Sequence, residues 1–296
     1  MIPIIISASR RTDIPARYAG WLAARLREGF VCTRNPMNAR QIRRISLRPA
    51  DVDGLVLWTK NPIPLLPLLP VLEPYPYYIQ FTLTPYRTDA EPGLPSKEGA
   101  LIPAFQRLCE HLGPDRVIWR YDPVFLSRTY PAEFHAEAFA KMAGALRGYT
   151  RLCTISFLDF YKSCAAGLKE LGVREMTAQD KDTLAELLSG IARENGLRMD
   201  ACAEDMDFTK HGITPARCID AGLLGRIAGR PIPAKKDRNQ RPLCGCDASV
   251  DIGAYNTCPV GCRYCYANHN RKRVEINISR HDENSPFLAG EMEEEA

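Results

Sequence analysis

Short apolar runs rich in valine, isoleucine and aromatic residues recur along the chain at 4–7, 30–33, 55–59, 77–84, 117–121, 153–157, 197–202 and 250–255. Each has the length and residue types of a strand, which gives eight candidates. Between them, apolar positions return every three or four residues, as on one face of a helix. Asp13 stands where a cap is needed, with Pro15 in the first turn and Tyr18, Trp21, Leu22 and Leu26 on one side. Thr177 opens a second helix with Leu184, Leu187, Leu188 and Ile191 as its stripe and Gly196 just past its end. Thr214 and Pro215 predict the start of a third. The stretch 62–76 carries six prolines and cannot hold a long regular helix.

Strands that alternate with helices require crossover connections, and these imply a parallel sheet. About eight such units suffice to close a (β/α) barrel of the TIM kind. The expectation is therefore an α/β fold, one TIM-like barrel, complete or partial, across residues 1–280. The strand ends then gather polar residues on one rim, including "SASRRTD" (7–13), "WTKNP" (58–62), "WRYDP" (119–123) and "DACAED" (200–205). Alternation along 119–123 puts Trp119 and Tyr121 on one side and Arg120 and Asp122 on the other.

Composition changes this picture little. Hydrophobic residues make up 45% and charged residues 25%, as in ordinary globular proteins, and a formal charge of +4 does not demand a polyanionic partner. The stretch 230–241 concentrates five basic residues and reads as a solvated connection. Residues 281–296 end in the acidic run "EMEEEA" and read as a disordered tail. No run reaches membrane-span length and the apolar start precedes its arginines, so no membrane partner and a cytoplasmic location are expected. In a reducing compartment, eleven cysteines point to metal or thiol chemistry rather than disulfides.

Three of those cysteines, Cys258, Cys262 and Cys265, fall within eight positions of "NTCPVGCRYCYANHN". Three thiolates leave a metal centre open at one position, whereas structural zinc usually takes four ligands. His269 would complete a Cys₃His set, which keeps a zinc-binding barrel of structural or regulatory role as an alternative. An iron–sulfur cube has four irons, and three thiolates then leave one iron free for a small molecule. Gly261 allows the loop to bend so that backbone N–H groups face sulfur.

With Tyr264 just before the last cysteine, the loop resembles the CxxxCxΦC segment of the radical S-adenosylmethionine superfamily. Along nearly its full length the chain also resembles an uncharacterised prokaryotic domain family that starts like "SASRRTDIPA" and ends like "CGC…DIGAYNTC…GCRYCYAN". The superfamily resemblance implies a 4Fe-4S cluster, S-adenosyl-L-methionine, and a reducing partner such as flavodoxin or ferredoxin. It implies reductive cleavage to a 5′-deoxyadenosyl radical acting on a further substrate. The superfamily usually places this loop after its first strand, and here it follows the last. A circularly permuted barrel resolves the difference if the strand at 4–7 lies beside that at 250–255. "SASRRTD" then occupies the rim position of the usual amine-binding segment. Ser9, Asp13 and Thr59 become candidates for the methionine amine, Arg10 and Arg11 for its carboxylate, and Tyr264 for the cofactor wall.

Four more thiols, Cys202, Cys218, Cys244 and Cys246, fall near the same rim, with Cys218 expected in the first turn of a helix, and could bind a second iron–sulfur cluster or zinc. Arg120 is suited to gripping a carboxylate, and Glu204 to binding a ribose hydroxyl or moving a proton. "WTKNP" and the basic 230–241 stretch loosely resemble nucleic-acid repair lyases of the photoproduct-lyase kind, a second alternative with nucleic acid as partner.

Overall fold

The protein's structure, a computed structural model, describes residues 4–290. Its strands in chain order are β1 (Ile4–Ala8), β2 (Phe30–Asn35), β3 (Asn38–Ser46), β4 (Val52–Thr59), β5 (Tyr77–Thr82), β6 (Val117–Val124), β7 (Leu152–Phe157), β8 (Arg198–Ala201), β9 (Ile213–Pro215) and β10 (Val250–Asp251). The helices are α1 (Ile14–Arg17), α2 (Ala19–Glu28), α3 (Ile102–Leu112), α4 (Ala132–Leu146), α5 (Ala165–Glu170), α6 (Ala178–Glu194), α7 (Ala221–Ala228) and α8 (Arg271–Ser279).

Eight strands form one sheet in the order β10-β1-β4-β5-β6-β7-β8-β9, with every neighbouring pair parallel. The sheet is open, because no pairing joins β9 to β10 among the described residues. At its other end the first and last strands meet as the permuted order requires, with Ile6 opposite Val250 and Ser7 opposite Asp251.

Three sequence expectations change. Residues 30–33 do not enter this sheet: β2 pairs antiparallel with β3, Phe30 opposite Ser46, in a separate hairpin. Strand β3 escaped notice because its arginines and the exposed Ile42 face solvent and hide the period of two. Thr214 and Pro215 lie in β9, where a proline is tolerated at a sheet edge, and α7 starts only after Asp220, whose side chain accepts from the Gly222 N–H at 2.8 Å. Cys218 therefore lies in the loop before α7 rather than in a first helical turn.

Other local signals hold. The Asp13 side chain accepts from the Ala16 N–H at 3.0 Å and caps α1. Thr177 and Asp180 form a reciprocal capping box at the start of α6. The proline-rich stretch becomes a 3₁₀ segment, Ile63–Leu72.

One face of the sheet carries the main core. Leu57, Ile79, Phe81, Trp119, Tyr121 and Ile155 are buried there, and Trp119 stacks on Phe139 of α4 with ring centres 4.8 Å apart. The other face presents Ile5, Val56, Tyr78 and Ile118 to Leu224 of α7 and to the segments bearing Cys218, Cys244 and Cys246. Gly54 allows that contact, since a Cβ on it would come within 2.6 Å of the Leu224 side chain. Each large side chain so buried contributes about 1.5–3 kcal/mol. Residues 281–290 pack rather than extend: Phe287 and Leu288 are buried, and the Pro286 carbonyl accepts from the Cys32 N–H. The acidic run at 291–296 lies outside the described residues. No described helix is long and apolar enough to cross a membrane.

Candidate functional site

The cysteine loop leaves the sheet directly after β10. It is clamped on its far side by close backbone approaches: the Gly93 N–H donates to the Val260 carbonyl at 3.0 Å and the Arg263 N–H to the Ala90 carbonyl at 2.9 Å. A Cβ on Gly93 would sit 2.6 Å from the Val260 oxygen, and one on Gly167 of α5 would collide with the Arg263 carbonyl. Gly261 takes a φ of +73°, which L-residues with side chains rarely adopt. On the near side, the Asn256 side chain accepts from the His269 and Asn270 N–H groups at 2.6 and 3.0 Å, and Asn268 donates to the Cys258 carbonyl at 2.6 Å.

Backbone N–H groups face two of the loop sulfurs: those of Val260 and Asp13 at Cys258, and those of Ala267 and Asn268 at Cys265. Burial pushes the Cys258 thiol up to about 12 and raises Cys262 and Cys265 as well. Next to Cys262 lies a charged network that the sequence pattern did not single out. Lys60 donates to Glu91 at 2.8 Å and to the Tyr264 hydroxyl at 2.9 Å. Thr84 donates to Glu91 at 2.9 Å, and Lys97 and Tyr264 also bond that carboxylate. Burial opposes ionisation of Glu91, but the two ammonium groups win and hold its carboxyl down to about 2. Tyr264 thus ties the cysteine loop to Glu91 and Lys60 through its hydroxyl.

All three loop cysteines open onto a cavity of about 380 Å³ at the C-terminal ends of the strands, within the range of small-molecule sites. Ser9, Arg10, Arg11, Asp13, Thr59 and Tyr264 all line it, as do Arg120 and the four cysteines Cys202, Cys218, Cys244 and Cys246. A larger cavity, about 980 Å³, opens among the N-terminal ends of β6 to β9 and contains no cysteine.

Placement in the wall is not the same as freedom to bind. Ser9 donates to Asp251 at 2.6 Å, and Asp251 also accepts from Ser7 and from the Arg10 and Gly253 N–H groups, so both belong to the β1–β10 seam. Asp13 spans two elements, accepting from the Ala16 N–H and from the Lys60 N–H at 2.6 Å, and burial raises its carboxyl to about 6. Thr59 accepts from the Asn61 N–H at 2.9 Å. Arg10 lies over Trp58, and Arg11 over Tyr255. Arg120 is 4% exposed, on the opposite side from Trp119 and Tyr121, and is bound by Asp122, Gln80 and the Cys218 sulfur.

Glu204 does not face this cavity. It accepts from the Phe157 N–H at 2.8 Å and from Ser156 at 3.2 Å, and lines a separate small cleft, because the chain turns outward at Ala203, whose φ is +55°. His269 donates through Nε2–H to the Tyr266 carbonyl at 2.8 Å and packs against Tyr255, so its ring is engaged away from the thiols. The basic stretch is not merely solvated: Arg230 pairs with Asp53 at 3.0 Å, and Arg241 pairs with Asp159 and lines the cavity.

Among the described residues, no three His, Cys, Asp or Glu side chains converge on one point as ligands of a single metal ion would. A cluster asks for something different, since its thiolates sit at separate corners and do not meet. Three neighbouring loop thiols, N–H donors turned toward two of the sulfurs and an adjoining cavity make a donor set that fits such a group.

Residues 5–267 match the family model described as "Domain of unknown function (DUF1848)". No curated protein matches the chain.

Proposed function

We propose that this chain, which belongs to the DUF1848 family, is an iron–sulfur enzyme of the radical S-adenosylmethionine type, on a partial barrel whose strand order is circularly permuted. The observation that carries the reading is the opening of Cys258, Cys262 and Cys265 together onto one buried cavity at the strand ends. When bound, a 4Fe-4S cluster with one open iron would pass an electron to S-adenosyl-L-methionine and so release a 5′-deoxyadenosyl radical.

The chain's own residues have defined tasks in this reading. Cys258, Cys262 and Cys265 hold the cluster, and the N–H groups of Val260, Asp13, Ala267 and Asn268 support charge on sulfur. Lys60 places a buried positive charge beside Cys262 and keeps the Tyr264 hydroxyl in place. Arg10 and Arg11 offer guanidinium groups to a carboxylate at the cavity rim. Ser9, Asp13 and Thr59 hold the rim backbone in shape through their own hydrogen bonds, which leaves them positioning roles. Tyr266 and Leu158 wall the cavity and limit access of water to it.

The test is anaerobic reconstitution with iron and sulfide, followed by reduction and incubation with S-adenosyl-L-methionine. The expected result is a brown protein bleached by dithionite that forms 5′-deoxyadenosine, with 5′-deoxyadenosine formation lost and the iron content reduced in the variant Cys258→Ala/Cys262→Ala/Cys265→Ala. A wild-type protein that stays colourless and retains one zinc per chain would overturn the reading.

A further inference from the structure

Across the cavity from the loop, Cys202 follows β8, Cys218 lies in the segment between β9 and α7, and Cys244 and Cys246 precede β10. The fold brings these four sulfurs together from three separate stretches. The Cys218 and Cys202 sulfurs are 3.3 Å apart, and Cys246 lies within interaction reach of both Cys218 and Cys244. A disulfide needs about 2.05 Å, so the close pair is not bonded, whereas neighbouring sulfurs around one tetrahedral ion at about 2.3 Å would sit roughly 3.8 Å apart.

The surroundings are built around these thiols. Tyr78 and Gln80 both donate to the Cys218 carbonyl, at 2.7 and 2.9 Å. The Asp237 N–H donates to the Cys246 carbonyl at 2.9 Å. Gly245 permits the close approach of the two cysteine segments, since a Cβ there would lie 2.7 Å from the Ala216 carbonyl oxygen. Two donors are aimed at sulfur itself: the buried Arg120 Nη1 at Cys218, 2.9 Å away, and the Ile219 N–H at Cys246, 3.4 Å away. A neutral thiol is a weak acceptor, and a buried guanidinium gains little from it, whereas a metal-bound thiolate accepts strongly.

We propose that Cys202, Cys218, Cys244 and Cys246 form a second metal centre, a four-thiolate site for a thiophilic metal, distinct from the three-cysteine loop. In this structure the four sulfurs follow one another as a bent chain and do not surround a point, so loading draws them together by side-chain rotation. The occupant is either a zinc ion or an iron–sulfur cluster, which share the same thiolate chemistry. The proposal does not depend on radical chemistry at the loop.

The experiment uses the variant Cys258→Ala/Cys262→Ala/Cys265→Ala, which removes the loop site. It is loaded with zinc in one arm and with iron and sulfide in the other, and metal per chain is measured after desalting. Retention of about one zinc, or of several irons with matching sulfide, supports the proposal and identifies the occupant. Adding Cys202→Ser/Cys218→Ser/Cys244→Ser/Cys246→Ser should remove that metal while the circular dichroism of the fold persists. Absence of metal in both arms, or retention after all seven substitutions, overturns it. If the loop variant does not fold, wild-type protein is alkylated with and without chelator and mapped by mass spectrometry. Protection of these four thiols that chelator abolishes supports the proposal. Chelator-independent labelling, or the 2 Da loss of a disulfide, overturns it.

Discussion

Replacing Glu91 with glutamine leaves the size of the side chain unchanged but removes the one anion that Lys60 and Lys97 share. In the wild-type protein this carboxyl is held at about 2, against 4.5 for an ordinary glutamate. At about 1.36 kcal/mol per pH unit, that difference corresponds to roughly 3 kcal/mol of stability at neutral pH. Removing one partner of a buried ion pair independently suggests about 3–5 kcal/mol. The lower figure is expected, because Lys60 and Lys97 each retain some exposure and can turn toward solvent. Urea denaturation of the metal-free protein at pH 7 should show a loss of about 3 kcal/mol, with a fall in Tm of roughly 6–10 °C. The sign with pH follows from the lowered value: this contribution is complete above 4.5 and disappears as pH falls toward 2, and Glu91→Gln should lack that decline. Adding Lys97→Met to Glu91→Gln should restore about 1 kcal/mol or more by relieving two like charges. A loss below about 1 kcal/mol, or an unchanged acid profile, would refute the view that Glu91 anchors the cysteine loop electrostatically.

Other substitutions test other parts of the molecule. Asp251→Ala removes the acceptor of four hydrogen bonds at the β1–β10 seam and should cost about 2–4 kcal/mol in urea denaturation, while Asp205→Ala, an exposed control, should cost little. His135 is buried between Tyr121 and the Phe125 carbonyl, and burial lowers it to about 4, so its neutral form stabilises the fold fully above 6.5. About 3 kcal/mol should be lost as pH falls from 6.5 through 4, and this component should be absent from the profile of His135→Gln. Glu204→Gln should leave 5′-deoxyadenosine formation within twofold of wild type and cost about 1 kcal/mol of stability, because Glu204 bonds Ser156 and Phe157 of the cavity wall from behind, while its own side chain lines a separate cleft.

Elements with strong local signals were readable from the sequence, and those defined by distant partners were not. The buried parallel strands β4 to β7 announce themselves as apolar runs because helices or loops cover both faces. Strand β3 is exposed on both faces from Arg40 to Arg44, so its pattern resembles a polar connection. Strand β9 is three residues long and is determined by pairing with β8, which no local propensity reports. At the site, Cys258, Cys262 and Cys265 could be found from spacing alone. The pairing of Lys60 with Glu91 could not, since they are 31 positions apart and nothing in "WTKNP", where Lys60 stands, points to Glu91. Asp251 was within reach, as a carboxylate inside the short run "SVDIGAY", but its role depends on Ser9, just after β1, and Ser7, within it, 242 and 244 positions away. Glu204 was misplaced because proximity to Cys202 in sequence does not survive the left-handed turn at Ala203.

The seam between β1 and β10 also sets a timetable for making the protein. Strand β1 leaves the ribosome early, but its partner and the thiols of the final loop emerge only after roughly 240 further residues. Closing so long a chain segment adds an entropic cost that grows only slowly with length, so the contact is late rather than forbidden. Until then Ile4–Ala8 has one open edge, able to pair with another nascent chain, and Ser7 and Ser9 lack the carboxylate that later receives them. A polypeptide interrupted just before residue 250 would carry most of the core and eight of its eleven cysteines without the loop that completes the rim. The cysteine loop therefore takes its place on the rim only after the rest of the scaffold has been made.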